Sequence, residues 1–229
     1  MRRVRIVVDA VLAGLLVAVM ATTLVQEAPH EYLGASLFVA AVAHVALNRR
    51  WFKALARGRY NAVRILRLVT IVGLFVCVVG QVASALVLSK FVFGFLPVLP
   101  GASLARRVHI LCSYWGFVLA FAHVGLQLKG FCRLMHVGGA RNTSGARRHA
   151  IWAGRFLFVI IACFGAYSFV RLGFGAYLFG QVQFAVAGYG TTIVPSLMGY
   201  ASIAVLIAGL FHCLRDVFEV LEKGWRQQN

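Results

Sequence analysis

Carboxylates are scarce in this chain: six Asp and Glu stand against 23 Lys and Arg in 229 residues. Most of the six lie near chain or helix ends, so hydrolytic chemistry lacks its usual acids, bases and nucleophile partners. Cysteine motifs are missing as well. Cys77, Cys112, Cys132, Cys163 and Cys213 are scattered, and none forms a CxxC or CxxCH pair. That disfavours thioether-linked haem, zinc and iron–sulfur sites, and leaves cysteines in apolar segments as small packing residues. Charge of either sign is thin. Only 13% of the residues are charged, against about a quarter in an ordinary soluble domain.

What is present is apolar: 61% of the chain is hydrophobic. This is the balance of a polytopic membrane protein, with residues 1–229 forming a single membrane domain and no separate soluble one. Six apolar stretches are long enough to cross or nearly cross a bilayer: Ile6–Val25, His30–Leu47, Leu66–Leu88, Val108–Leu128, Ile151–Val170 and Ile193–Leu214. The first reads as a retained span, because no small-x-small cleavage site precedes Gln26 to Pro29. Between the fifth and sixth lies an uncharged segment, 173–190, rich in glycine and aromatics. It is expected to be a re-entrant or interfacial segment, or a loop packed over a site at that membrane face.

A net charge of +17 invites a nucleic-acid reading, but the basic residues sit in the links between apolar segments. Arg2, Arg3 and Arg5 precede the first span. Arg49, Arg50, Lys53, Arg57, Arg59, Arg64 and Arg67 lie between the second and third. Lys129, Arg133, Arg141, Arg147 and Arg148 lie between the fourth and fifth, and Arg215, Lys223 and Arg226 close the chain. The other side has Lys90, Arg106, Arg107 and Arg171. The expectation is a multi-pass protein of the cell inner (cytoplasmic) membrane with both termini cytoplasmic; its surroundings are lipid, and nucleic acid is no partner.

Four histidines fall in two pairs with one spacing, His30 with His44 and His109 with His123, each fourteen residues apart. On a helix that is about 1400° of rotation, within about 40° of whole turns, so each pair shares a face. The rise is about 21 Å, most of a hydrocarbon core about 30 Å thick. Alternating topology makes the second and fourth spans parallel. His30 then lies level with His109 near the outer surface, and His44 with His123 near the inner one. Neutral imidazole is a good axial ligand for haem iron, and polar groups inside a membrane are costly unless they face a partner. The pattern points to two haems b, each iron held by two histidines, in a bundle around helices two to five.

Gly116 lies midway between His109 and His123, and Gly34 one turn after His30, where a flat macrocycle would need small neighbours. Close helix packing explains such glycines equally well. Arg106 and Arg107 precede His109 and could pair with haem propionates at the water edge; snorkelling to the interface explains them too. His212 is the one rival to His44 or His123, while His136 and His149 flank a basic loop. Arg155 is expected to pair with Asp9.

Two segments carry a family resemblance. His30-Glu31-Tyr32-Leu33-Gly34, then His44 and Asn48-Arg49-Arg50-Trp51-Phe52, form the first. Leu104-Ala105-Arg106-Arg107-Val108-His109, Ser113-Tyr114-Trp115-Gly116 and His123-Val124-Gly125-Leu126 form the second. Together, over residues 5–130, they resemble the flavinylation-associated cytochrome domain, formerly a domain of unknown function. The resemblance implies a di-haem b-type cytochrome working beside an extracytoplasmic flavoprotein or other redox subunit, with His30, His44, His109 and His123 as ligands. One position departs: family members often carry a further histidine one turn after His123, and here it is Gln127. The two spans within 150–229 match only loosely.

The expectation is thus an all-α integral membrane protein of six spans whose function is transmembrane electron transfer, as the membrane subunit of a redox complex. Two other readings stay open. One is a quinol-oxidising or ferric-reductase-like enzyme, with quinone as a further cofactor. The other is a haem-free scaffold or assembly factor.

Overall fold

A computed structural model of the chain describes residues 2–22, 27–51, 61–97, 100–128, 145–182 and 192–228. They form seven helices: α1 (Arg2–Thr22), α2 (Glu27–Leu47), α3 (Ala62–Leu88), α4 (Ala102–Gln127), α5 (Gly145–Arg171), the short α6 (Phe174–Leu178) and α7 (Ile193–Gln228). All but α6 are long and apolar enough to span a bilayer, so the chain is an all-helical, multi-pass membrane protein with six candidate spans. Several sequence features lie outside the described residues: Lys53, Arg57, Arg59, Lys129, Cys132, Arg133, His136, Arg141 and positions 183–190.

The helices extend past the apolar stretches at defined ends. Hydropathy marks only the part suited to hydrocarbon, whereas backbone hydrogen bonding runs on until a cap stops it. For α3 that cap is Asn61, whose side chain accepts from the Arg64 amide at 2.9 Å. Glu222 of α7 reinforces it, accepting from Asn61 Nδ2 at 3.0 Å and from the Ala62 amide at 2.7 Å. At the same end of the bundle, α4 ends with its Leu126 carbonyl taken by Arg67 Nη2 at 3.0 Å. Just past it, Arg215 Nη1 donates to the Leu128 carbonyl at 3.1 Å.

The first two helical hairpins are each antiparallel. Asp9 meets His44 while Val19 meets His30, and Ser84 meets His109 while Arg67 meets Leu126, so α1 and α2 are antiparallel, as are α3 and α4. α2 and α4 therefore run parallel. One end of the bundle holds the end of α1 and the start of α2; the other holds both termini.

The packed frame is α3, α4, α7 and α5 in that spatial order, with α1 lying along α7 and α2 along α1. The core is shared by α1, α4, α6 and α7, with Met20, Phe117, Phe174, Tyr200 and Ile203 at its centre. α5 packs on α7 and α6, away from the histidine pairs. This corrects the expected bundle around helices two to five: the histidines lie among α1 to α4. Of the aromatic segment before α7, residues 173–182 are described and 183–190 are not. Its described part, α6, sits on α4 and α5, where Tyr177 stacks on Tyr114 at 4.6 Å and Leu178 O accepts from Trp115 Nε1 at 2.9 Å.

Two glycines set the closest crossings of α7. A Cβ on Gly125 would collide with the Ala208 carbonyl, and one on Gly165 would lie 2.5 Å from the Ser202 oxygen. Small residues allow such backbone approach where lipid offers no hydrophobic drive for association. The Gly125 carbonyl also accepts from His212 Nδ1 at 3.2 Å. We expect Gly125→Leu to destabilise the bundle by roughly 1–3 kcal/mol through overpacking. A lowered melting temperature in detergent, against no change for Gly14→Leu in its open surroundings, would check this.

Candidate functional site

α2 is held in an unusual way. None of its residues is fully buried, and its close neighbour is α1 rather than α4. Its attachments are polar. The Glu31 carboxylate sits in a concavity of successive amides, accepting from Lys90 N at 2.8 Å, Phe91 N at 2.9 Å and Val92 N at 3.0 Å. It also accepts from Ser89 Oγ at 2.7 Å. This fastens the start of α2 to the chain leaving α3, one residue from His30.

There, His30 and His109 face each other with ring centroids 6.1 Å apart and planes inclined by 68°. Each ring is anchored from behind. His30 Nδ1 lies 3.2 Å from the Val19 carbonyl, which can only accept, so this nitrogen carries the proton. His109 Nδ1 lies 3.1 Å from Ser84 Oγ. The Ser84 hydroxyl spends its hydrogen on the Gly80 carbonyl at 2.7 Å, so the ring donates to it. Both tautomers thus leave Nε2 as the lone-pair nitrogen, the state a metal-ligating histidine needs.

Two neighbouring imidazoles, each with its proton on Nδ1, are a donor set that would hold a haem through Nε2. Among the described residues no group of three or more His, Cys, Asp and Glu converges, so a bare ion lacks a coordination shell. A haem would ask the protein for only two donors, the number this pair offers. Gly34 has open space where its Cβ would be, and Gly116 has only Cys77 Cβ of α3 at 3.5 Å. Gly116 therefore looks onto α3, whereas Gly34 has no neighbour there. Arg106 and Arg107 are exposed in the opening turns of α4, a turn or less before His109.

The second pair lies toward the termini. His44 Nδ1 donates to Asp9 Oδ1 at 2.6 Å. His123 lies within electrostatic reach of His44, Asp9 and Arg67, and its buried Nδ1 has no hydrogen-bond partner among the described residues. Gln127, one turn on, is exposed at the end of α4.

Two residues differ from expectation. Asp9 bonds His44, while the Arg155 guanidinium lies over the Trp152 ring at 4.9 Å. His212 is 1% exposed, with Nδ1 on the Gly125 carbonyl and Nε2 3.6 Å from Asp216. Both its nitrogens face groups at the α4–α7 crossing, a structural position rather than that of a rival ligand. Sequence reasoning passed over Ser84 and Val19, which carry no motif, and Glu31, whose role depends on amides sixty residues away.

The fold and these pairs define a class: a multi-pass helical membrane protein with two levels of intramembrane histidines. Comparison with family models, curated proteins and solved structures finds no match to this chain.

Glu31→Ala should lower the melting temperature of the detergent-solubilised protein, since charge-assisted bonds are worth about 1.5–3 kcal/mol each. Glu27→Ala, which loses only the exposed ion pair to Lys90 at 2.8 Å, should change stability by under about 1 kcal/mol. Equal effects would show that the Glu31 concavity does not hold α2.

Proposed function

We propose that the chain is the membrane subunit of a redox system that carries electrons across the bilayer between two bis-histidine haem b sites. The observation that carries this reading is the His30–His109 pair: rings 6.1 Å apart, each fixed through Nδ1. Haem, when bound, supplies a reversible one-electron couple. His30 and His109 would bind one haem, and His44 and His123 the other, about 21 Å along the helices. Val19 and Ser84 keep the protons on the distal nitrogens. Arg106 and Arg107 offer cations to carboxylates at the membrane edge. The surrounding apolar helices exclude water.

The basic links support termini on the cytoplasmic side of the cell inner membrane, with the His30–His109 level facing outward. The resemblance to the flavinylation-associated cytochrome domain supports an extracytoplasmic flavoprotein as the exchange partner, with quinol or a soluble carrier on the other side.

The test is a dithionite-reduced minus oxidised spectrum of the purified protein with pyridine-haem quantification. Two haems b per chain are expected, falling towards one in His30→Ala, His109→Ala, His44→Ala or His123→Ala. A colourless, fully folded preparation would overturn the reading in favour of a scaffold whose histidines bond only between helices. Gly34→Leu should lower haem content without changing helicity. Unchanged content would show that Gly34 faces lipid alone.

A further inference from the structure

The two histidine levels are not copies of one another. Behind His30 and His109 stand neutral acceptors, a carbonyl and a hydroxyl. Behind His44 stands a carboxylate, Asp9, at 2.6 Å. Asp9 is the one acidic residue of α1 and lies within the candidate span Arg3–Thr22. A carboxylate at that depth is costly unless it faces a partner. Lys or Arg would be the ordinary choice, yet its close partner here is an imidazole from the neighbouring helix.

We propose, building on the haem reading above, that Asp9 is the positioning residue of the termini-side site and makes it the lower-potential site of the two. By accepting the Nδ1 proton, the carboxylate fixes the tautomer and orientation of His44, and its charge raises the basicity of Nε2. A more basic axial ligand favours ferric over ferrous iron. Neutral acceptors at the other level give no such bias. Arg67 opposes Asp9, being within electrostatic reach of His123. Its Nη2 is spent on the Leu126 carbonyl at 3.0 Å, and the direct contact dominates because the interaction falls with distance. An electron shared between the two sites therefore rests on the His30–His109 side, leaving the termini-side iron oxidised.

The experiment is an optical redox titration of the full-length, haem-loaded protein in parent and variant forms, with haem counted in each. Asp9→Asn preserves shape and an acceptor oxygen but removes the charge. It should retain two haems and raise one potential by about a tenfold loss of ferric preference, about 59 mV for one electron. Asp9→Ala should weaken retention of one haem by roughly 10–100-fold, the usual effect of losing a ligand's supporting partner, and Asp9→Glu should restore it. Ser84→Ala should move only the other potential. Two haems with potentials unmoved in both Asp9→Asn and Asp9→Ala would overturn the proposal, as would an equal shift of both sites. A parent protein without haem would instead overturn the reading on which it rests.

Discussion

Everything at the two histidine levels depends on how α2 is kept in place without being packed away. In hydrocarbon, an apolar helix gains nothing from exchanging lipid for a protein neighbour, so association rests on close packing and polar bonds. α4 uses the first device, through Gly125 against α7. α2 uses the second. The Val19 carbonyl and Asp9 hold it to α1 near its two ends, and Glu31 ties its start to the chain after α3.

This division explains why the ionisable groups sit where they do. The chain has six carboxylates, and four of them are structural: Glu31 takes the 90–92 amides, Glu222 caps α3, Asp9 orients His44, and Glu219 accepts from Arg215 at 2.7 Å. Of the other two, Glu27 pairs with Lys90 at 2.8 Å, and Asp216 lies 3.6 Å from His212 Nε2.

Much of the architecture was legible in the sequence. Long apolar runs separated by basic links produce six spans because the backbone in lipid must satisfy itself within each helix. The fourteen-residue histidine spacing marks a face and a depth, since helical periodicity is local. Partnerships between helices were not legible. Arg155 looked like the natural counterion of Asp9, but the antiparallel α1–α2 hairpin brings Asp9 level with His44 first. His212 resembled a ligand by composition, and only the α4–α7 crossing shows its nitrogens engaged. Gly116 lies on the histidine face of α4 by rotation, yet its Cβ position meets Cys77 of α3, because α3 and not α2 is the tightly packed neighbour. Each miss concerns which helices touch, and helical periodicity holds no information about that.

The ring pairs also have a consequence for biogenesis. Both levels are split between the first helical hairpin, α1–α2, and the second, α3–α4. The supports are split too, since His30 leans on α1 while His109 leans on α3. On a growing chain, neither level exists until α4 has emerged, and α4 gains its glycine crossing only when α7 has been made. Half-sites on a truncated chain would present single imidazoles to the bilayer. The order of synthesis thus delays assembly of either level until α4 has followed the first hairpin.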